Sequence, residues 1–481
     1  MSAEPEAIPF TSPLHPSYRQ DLPDGLVLRW MDRATELKKV CEFAATYGAQ
    51  EREGGAYISF IFHKLKRIFR IGKETPLLRT PYDCAIIEDT TKEDRPIIAC
   101  AVLYQHELHY DSVSLNVGRP EFVLTDYRYR NRGLQRAVHD LLHAKCEARG
   151  DALTIIGGIK YFYKQFGYDY AVEMGGGFTT NVDAIPKLKG GEIESIEIVD
   201  AQPDDAHFFA EFQERRQRKQ RNLLWGPTTE EYWRWHLTMW HDDPENDHIR
   251  ALRLVRHVPS GVVVGWLHTA VKRTGRAFRI FDAELDLDNV PGGDQLSVIA
   301  VMSSLLRALR AVGQGDDGAE LPPFVQFDWN VGAQCVVKDA LERIGQLEGL
   351  AERRRYAWYV RVPNYVGFLR RITPVLEARI AESTTFASYT GEVVINMYRS
   401  HIKMVLEGGK IKSVEAGKGG ADGSNAFSVP PDGTFNRLLF GYKSLGELMD
   451  YNPDVDIGSE KIKGLIELLF PKRVSSIFSW F

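Results

Sequence analysis

Two spacings of apolar residues alternate along this chain, one of period two and one of helical period, and the switches between them outline its elements. Leu26-Val-Leu-Arg-Trp30 reads as a short strand. It runs into an amphipathic stretch from Asp32 to Tyr47 that stops at Gly48, which predicts a strand-then-helix opening. Cys84 to Glu88 and Ile97 to Leu103 are apolar runs flanking the polar turn Thr90–Arg95, and Glu121 to Thr125 follows as another strand. From Arg132 to Gly150, Leu134, Ala137, Val138, Leu141 and Leu142 recur at helical spacing, with Arg136, Asp140, His143 and Glu147 on the opposite face. Leu153 to Ile156 is the next strand, closing on Gly157-Gly158.

A polar stretch, Pro186–Gly191, then precedes a second strand-then-helix opening at Ile196–Val199 and Asp204–Arg221. Strands at Leu252–Val255, Val262–Trp266 and Phe324–Asp328, with a helix at Leu296–Val312, give it an element order like that of the first unit. Beyond Tyr365 a helix, strands at Val393–Tyr398, Ile402–Leu406 and Lys410–Val414, and helices within Phe435–Asp450 and Ser459–Phe470 predict a third, mixed α/β unit. At 481 residues, about three domains are also what length alone suggests.

Composition narrows the function classes. The chain is 44% hydrophobic and 26% charged, and 60 Lys+Arg against 65 Asp+Glu leave a net charge of −5, so no global field attracts nucleic acid. Five widely spaced cysteines, Cys41, Cys84, Cys100, Cys146 and Cys335, form no C-x-x-C pair, which argues against a disulfide framework or structural zinc and fits a reducing compartment. There is no apolar signal segment in Met1–Gly25, no run of 18 apolar residues and no Ser-Lys-Leu ending, so a cytoplasmic protein with no membrane partner is expected.

The stretch Phe122-Val-Leu-Thr-Asp-Tyr-Arg-Tyr-Arg-Asn-Arg-Gly-Leu-Gln-Arg-Ala137 carries the chemistry. A strand delivers a basic, glycine-containing turn directly into a helix N-terminus. The free N–H groups of a first helical turn and the helix dipole favour an anion there, and a glycine lets the backbone approach it closely. Gly133 is that residue, and Arg130 and Arg132 supply charge. A basic first turn with no ligand is the alternative.

These residues resemble the GNAT acetyltransferase superfamily, whose signature is Gln/Arg-x-x-Gly-x-Gly/Ala at the start of the helix after the fourth strand. Arg130-Asn131-Arg132-Gly133-Leu134-Gln135 matches except at the last position. Further on, Tyr163-Lys-Gln-Phe-Gly-Tyr168 resembles the superfamily's aromatic, two residues, Phe-Gly-Tyr/Phe segment. The resemblance implies acetyl-CoA as co-substrate, no metal, and backbone contacts to its pantetheine arm from Val123, Leu124 and Thr125. The order of units is similar to that of the enhanced intracellular survival (Eis) family. It implies an α/β (α+β) chain of tandem GNAT folds with mixed central sheets and a C-terminal sterol-carrier-like domain. The expected division is an extension over 1–25, the catalytic GNAT domain over 26–190, a degenerate GNAT-like domain over 191–362 and the sterol-carrier-like domain over 363–481. Pro291-Gly-Gly-Asp294 stands where the second unit would need its Arg-x-x-Gly, so one cofactor site per chain is expected.

The same resemblance makes Tyr163 the general acid and the α-carboxylate of Phe481 the general base. Family members acetylate aminoglycosides and lysine-like amines with the help of an acidic residue beside the C-terminal one. Here that position is Trp480, which implies a less cationic or more aromatic acceptor. Expected partners are a small-molecule or lysine-like amine and no nucleic acid, with homo-oligomerisation left open. A non-catalytic lipid-binding or scaffold protein with a vestigial GNAT site is the rival reading, and Gln135 keeps it alive.

Three other signals carry less. His139 and His143 share a helix face like an H-E-x-x-H zinc pair but lack its Glu and a third ligand. The basic run Glu214–Arg221 reads as a solvated helix face rather than an RNA contact, Trp233, Trp235 and Trp240 with His236 and His241 as core rather than a pocket lining, and the glycine-rich Gly417–Gly423 as a strand connection.

Overall fold

The structure is a computed structural model that describes residues 9, 11–50, 83–227, 229–239, 250–273, 275–286, 298–314, 322–331, 336–344, 355–475 and 477. The chain divides into two compact units, one of Met1–Glu173, Gln217–Pro227 and Ala357–Phe481, the other of Met174–Arg216 and Thr228–Tyr356.

The first unit holds a large mixed sheet. Its strands are β1 (Arg19–Leu22), β2 (Leu26–Trp30), β3 (Asp83–Asp89), β4 (Ile97–Tyr110), β5 (Val113–Thr125), β6 (Leu153–Ile156) and β7 (Asp169–Met174). They lie in that order, except that Tyr356–Arg361 enters between β6 and β7, and Leu224–Trp225 pairs with β4 at Tyr110 and His109. Helices α1 (Leu37–Gln50) and α2 (Leu134–Ala148) explain why the central strands read as continuous apolar runs. Cys84, Ile86, Cys100 and Val102 pack with Val40 and Phe43 of α1, while the alternate residues Ala85, Ile87, Ala99 and Ala101 pack with Leu134, Val138 and Leu141 of α2.

β4 and β5 are longer than the apolar pattern predicts, by the hairpin from Tyr104 to Pro120. Polar residues hide it. Gln105 is buried in β4 because its amide donates to the Asp151 carboxylate at 2.5 Å, and Asp151 is itself paired with Arg149 at 2.7 Å. The remainder of this unit is a five-stranded sheet containing Gly391–Asn396, Ser400–Glu407, Lys410–Lys418, Ala426–Ser428 and Asp456–Ile457, accompanied by helices that include Thr373–Ala381 and Glu460–Leu469.

The second unit has a six-stranded mixed sheet in which Ala277–Leu285 and Gln326–Trp329 form the parallel pair. Its core gathers Val301, Leu305 and Leu309 of the helix Val298–Gln314 against Phe278, Ile280, Phe327 and Trp329. Trp233 is buried and stacks on Phe209 with ring centroids 4.9 Å apart, and Arg216 pairs with Glu284 at 2.6 Å. Trp240 and His241 lie outside the described residues, as does Pro291–Asp294. The whole is mixed α/β, as the sequence predicts.

Candidate active site

The basic turn is built from β5 outward. Asp126, buried at the strand end, accepts from the Arg128 N–H at 2.9 Å and starts a tight turn over Tyr127–Tyr129. The Tyr129 hydroxyl donates to Asp89 at 2.7 Å, anchoring the turn to β3. Asn131 (φ 64°) and Gly133 (φ 74°) then turn the chain left-handed into α2. A Cβ at Gly133 would meet nothing within 4 Å, so the space before the helix is open. Without a side chain, Gly133 gives α2 no side-chain cap, and its carbonyl accepts from the Arg136 N–H at 3.0 Å. The Arg132 guanidinium stands 5.1 Å above the Tyr129 ring, and Arg130 Nε approaches the Thr125 carbonyl at 3.5 Å. Two arginines, one of them 3.8 Å from Asp24, thus flank a helix start that has no side-chain cap, the kind of place an anion favours.

Gln135, the departure from the small-residue signature, does not fill that space. Its amide donates to the Leu124 carbonyl at 2.7 Å and to Thr125 Oγ1 at 2.9 Å, so the helix start is tied to the end of β5.

β5 also parts from β6 along its length. β5 pairs in parallel with β6 over two rungs, Val117–Leu153 and Gly118–Thr154, and the register ends there although β5 continues to Thr125. β6 turns its other edge to Arg361, Val360 and Tyr359. Gly118 allows the close approach at the last rung, since a Cβ there would lie 2.5 Å from Cys146 Sγ. Across from β4 the register slips between Cys100 and Val102, and Phe122 takes φ 51°, a bulge that sets Val123, Leu124 and Thr125 off from the regular ladder.

Tyr163 sits in the short turn Phe162–Phe166 and is 3% exposed. A Cβ built on Gly158 would lie 3.9 Å from its hydroxyl, which places that oxygen beside the end of β6. Its ring meets Tyr359 edge-on at 5.4 Å and lies 5.8 Å from the ring of His139 on α2. α2 therefore carries the basic turn at its start and a wall of the tyrosine's surroundings one and a half turns later.

The two histidine rings meet edge-on with centroids 5.9 Å apart, but their nitrogens have different partners. His139 Nδ1 contacts the Gln135 carbonyl at 2.8 Å and its ring stacks on Phe166, while His143 Nε2 contacts the Tyr168 hydroxyl at 2.8 Å. Burial pushes His139 down to about 4 and His143 down to about 3, so both are neutral at pH 7. Among the described residues no group of three or more His, Cys, Asp or Glu could hold a metal ion.

Phe481 and Trp480 lie outside the described residues. The chain just before them is docked. The Leu223 N–H donates to the Val474 carbonyl at 2.8 Å, the Leu224 N–H to Ser475 Oγ at 3.1 Å, and Arg473 pairs with Asp111 at 2.9 Å. The sequence gives no sign that Tyr359 and Tyr170 belong near Tyr163. Aromatic alternation in Tyr356-Ala-Trp-Tyr-Val-Arg361 marks a strand, but its partner strand lies two hundred residues earlier.

Residues 69–171 match the family model of an acetyltransferase (GNAT) domain. No curated protein matches the sequence. Among solved structures, a GCN5-related N-acetyltransferase from Anabaena variabilis is similar at a TM-score of 0.61 and 11% identity, over 94% of this chain and 99% of that one. Another from Kribbella flavida reaches 0.57 at 14% identity, over 95% and 98%. Eis1 from Mycobacterium abscessus reaches 0.52 at 14% identity, over 94% and 100%. These likenesses show a shared fold. No helix among the described residues is long and apolar enough to cross a membrane. The chain therefore carries an acetyltransferase (GNAT) domain over residues 69–171.

Proposed function

We propose that the chain transfers an acetyl group from acetyl-CoA to a primary amine directly, in a ternary complex, as a cytoplasmic enzyme of the Eis-like arrangement. The observation that carries this reading is the pairing of an opened β5–β6 edge with an uncapped, arginine-flanked helix start, tied together through Gln135. The first suits an extended pantetheine arm and the second its diphosphate. Residues Arg130–Gln135 would hold the phosphates, with Val123–Thr125 along the arm. Gln135 turned back on the strand favours this over a vestigial site.

Tyr163 is proposed as the general acid. The leaving thiolate belongs to a thiol of ordinary pKa about 8.5, and a phenol of pKa about 10 is still protonated at pH 7 and donates as charge builds on sulfur. The Phe481 carboxylate is proposed as the base that takes the ammonium proton; the docked segment Arg473–Ser475, a few residues before it, supports the proposal. Residues 363–481 would be the sterol-carrier-like domain that supplies it, and 191–362 the degenerate GNAT-like domain.

Direct transfer is supported by the state of the cysteines. Burial pushes Cys41 up to about 11 and Cys100 up to about 12 and raises Cys84 and Cys146 as well, so none of the four is a thiolate at neutral pH. Initial rates at varied acetyl-CoA and amine should give intersecting reciprocal lines. Parallel lines, the mark of an acetyl-enzyme intermediate, would refute the ternary-complex reading.

A further inference from the structure

The loop from Gly157 to Tyr163 must hold the proposed acid still, yet it contains exposed residues such as Ile159 and Tyr161 and a left-handed Tyr161 at φ 66°. Two tyrosines outside the loop meet it. The Tyr359 hydroxyl lies 3.1 Å from the Ile159 carbonyl, the Tyr161 N–H lies 3.0 Å from the Tyr170 hydroxyl, and the two hydroxyls are 2.5 Å apart. Their rings stack with centroids 4.1 Å apart.

Proton counting gives this circuit one direction. A carbonyl only accepts, so Tyr359 donates its single proton to Ile159. Its oxygen then receives the proton of Tyr170, and the Tyr170 oxygen receives the Tyr161 N–H. The chain of bonds runs from one backbone group of the loop, through both hydroxyls, to another backbone group of the same loop. Tyr359 also packs edge-on against the Tyr163 ring. Chained hydrogen bonds polarise one another, and removing one oxygen breaks two of the three.

We propose that Tyr359 and Tyr170 are positioning residues for the transfer reaction, a hydroxyl clamp that fixes the loop carrying Tyr163. Tyr170 comes from β7, and Tyr359 from the strand with which the chain returns to the first unit. The clamp therefore requires strands separated by the whole of the second unit. It rests on the reading of Tyr163 as the acid. The anion seat lies on other residues, so the clamp governs turnover and leaves cofactor affinity alone.

The test is a set of Tyr→Phe variants in the full chain: Tyr359→Phe, Tyr170→Phe, Tyr163→Phe, and each clamp variant combined with Tyr163→Phe. Phenylalanine keeps the stacked rings and removes only the oxygen. A misplaced reacting group costs up to about a hundredfold, so Tyr359→Phe and Tyr170→Phe should each lower kcat by about tenfold or more. KM for acetyl-CoA should stay within about twofold. In the Tyr163→Phe background neither should lower kcat further, an outcome that mere loosening of the fold does not produce. Unchanged kcat in both clamp variants while Tyr163→Phe is impaired would overturn the clamp and leave the acid in place. Equal losses in the presence and absence of the Tyr163 hydroxyl would also overturn it. Full kcat in Tyr163→Phe would instead remove the acid assignment, and the clamp with it.

Discussion

Replacing Asp169 by Asn would remove a single charge from a site where the structure concentrates three. The Asp169 carboxylate is fully buried and pairs with Lys164 at 2.7 Å and with Arg437 at 2.7 Å. Lys164 belongs to the turn that holds Tyr163, and Arg437 to the helix Thr434–Leu439, so one anion fastens that turn to that helix. Asn keeps the size of the side chain, and the contact of Asp169 with Gly433 is spared. What remains is two cations facing a neutral amide. Breaking a buried ion pair costs about 3–5 kcal/mol, and because Lys164 and Arg437 keep some access to water the lower figure applies, about 3 kcal/mol. With a urea dependence of about 3 kcal/mol per M, the unfolding transition of the first unit should move down by about 1 M. Circular dichroism during urea titration reads this. A shift below about 0.2 M would refute the view that Asp169 is a structural counter-ion.

Acid should destabilise the fold through His139 and His143. Both native pKa values lie below the ordinary 6.5, so above that pH neither state is charged; below it the unfolded chain binds protons that the native state refuses, and stability falls by up to about 1.4 kcal/mol per pH unit per histidine, until about pH 4 for His139 and about pH 3 for His143. Urea titrations at several pH values should show a shallower slope for His143→Asn. Gly118→Ala should cost about 1–3 kcal/mol, because the new methyl group meets Cys146 Sγ at 2.5 Å; an unchanged unfolding midpoint would contradict the tight last rung. Residues added after Phe481 should lower kcat at least tenfold without changing acetyl-CoA affinity, and an N-terminal tag is the matched control.

The apolar runs of β2, β3 and β6 and the helical spacing of α2 made these elements legible, because each is covered by neighbours and its pattern records that burial. The helix start at Gly133 was legible for the same local reason. The far half of the β4–β5 hairpin was not, since Gln105 and Arg119 sit buried in it through partners distant in sequence. The bulge at Phe122 depends on register across two strands, which a single strand's pattern does not contain. Tyr359 was invisible as a site residue because only the insertion of its strand beside β6 gives it a role. Gln135 shows the converse: its identity was plain in the sequence, and its direction, back onto Leu124 and Thr125, was decided by the fold.

Calorimetric titration with acetyl-CoA tests the central claim most directly. One site per chain is expected, with an affinity that drops about tenfold or more in Arg132→Glu, since a charge-assisted phosphate contact is worth roughly 1.5–3 kcal/mol. No binding by the native chain, or equal affinity in Arg132→Glu, would contradict it.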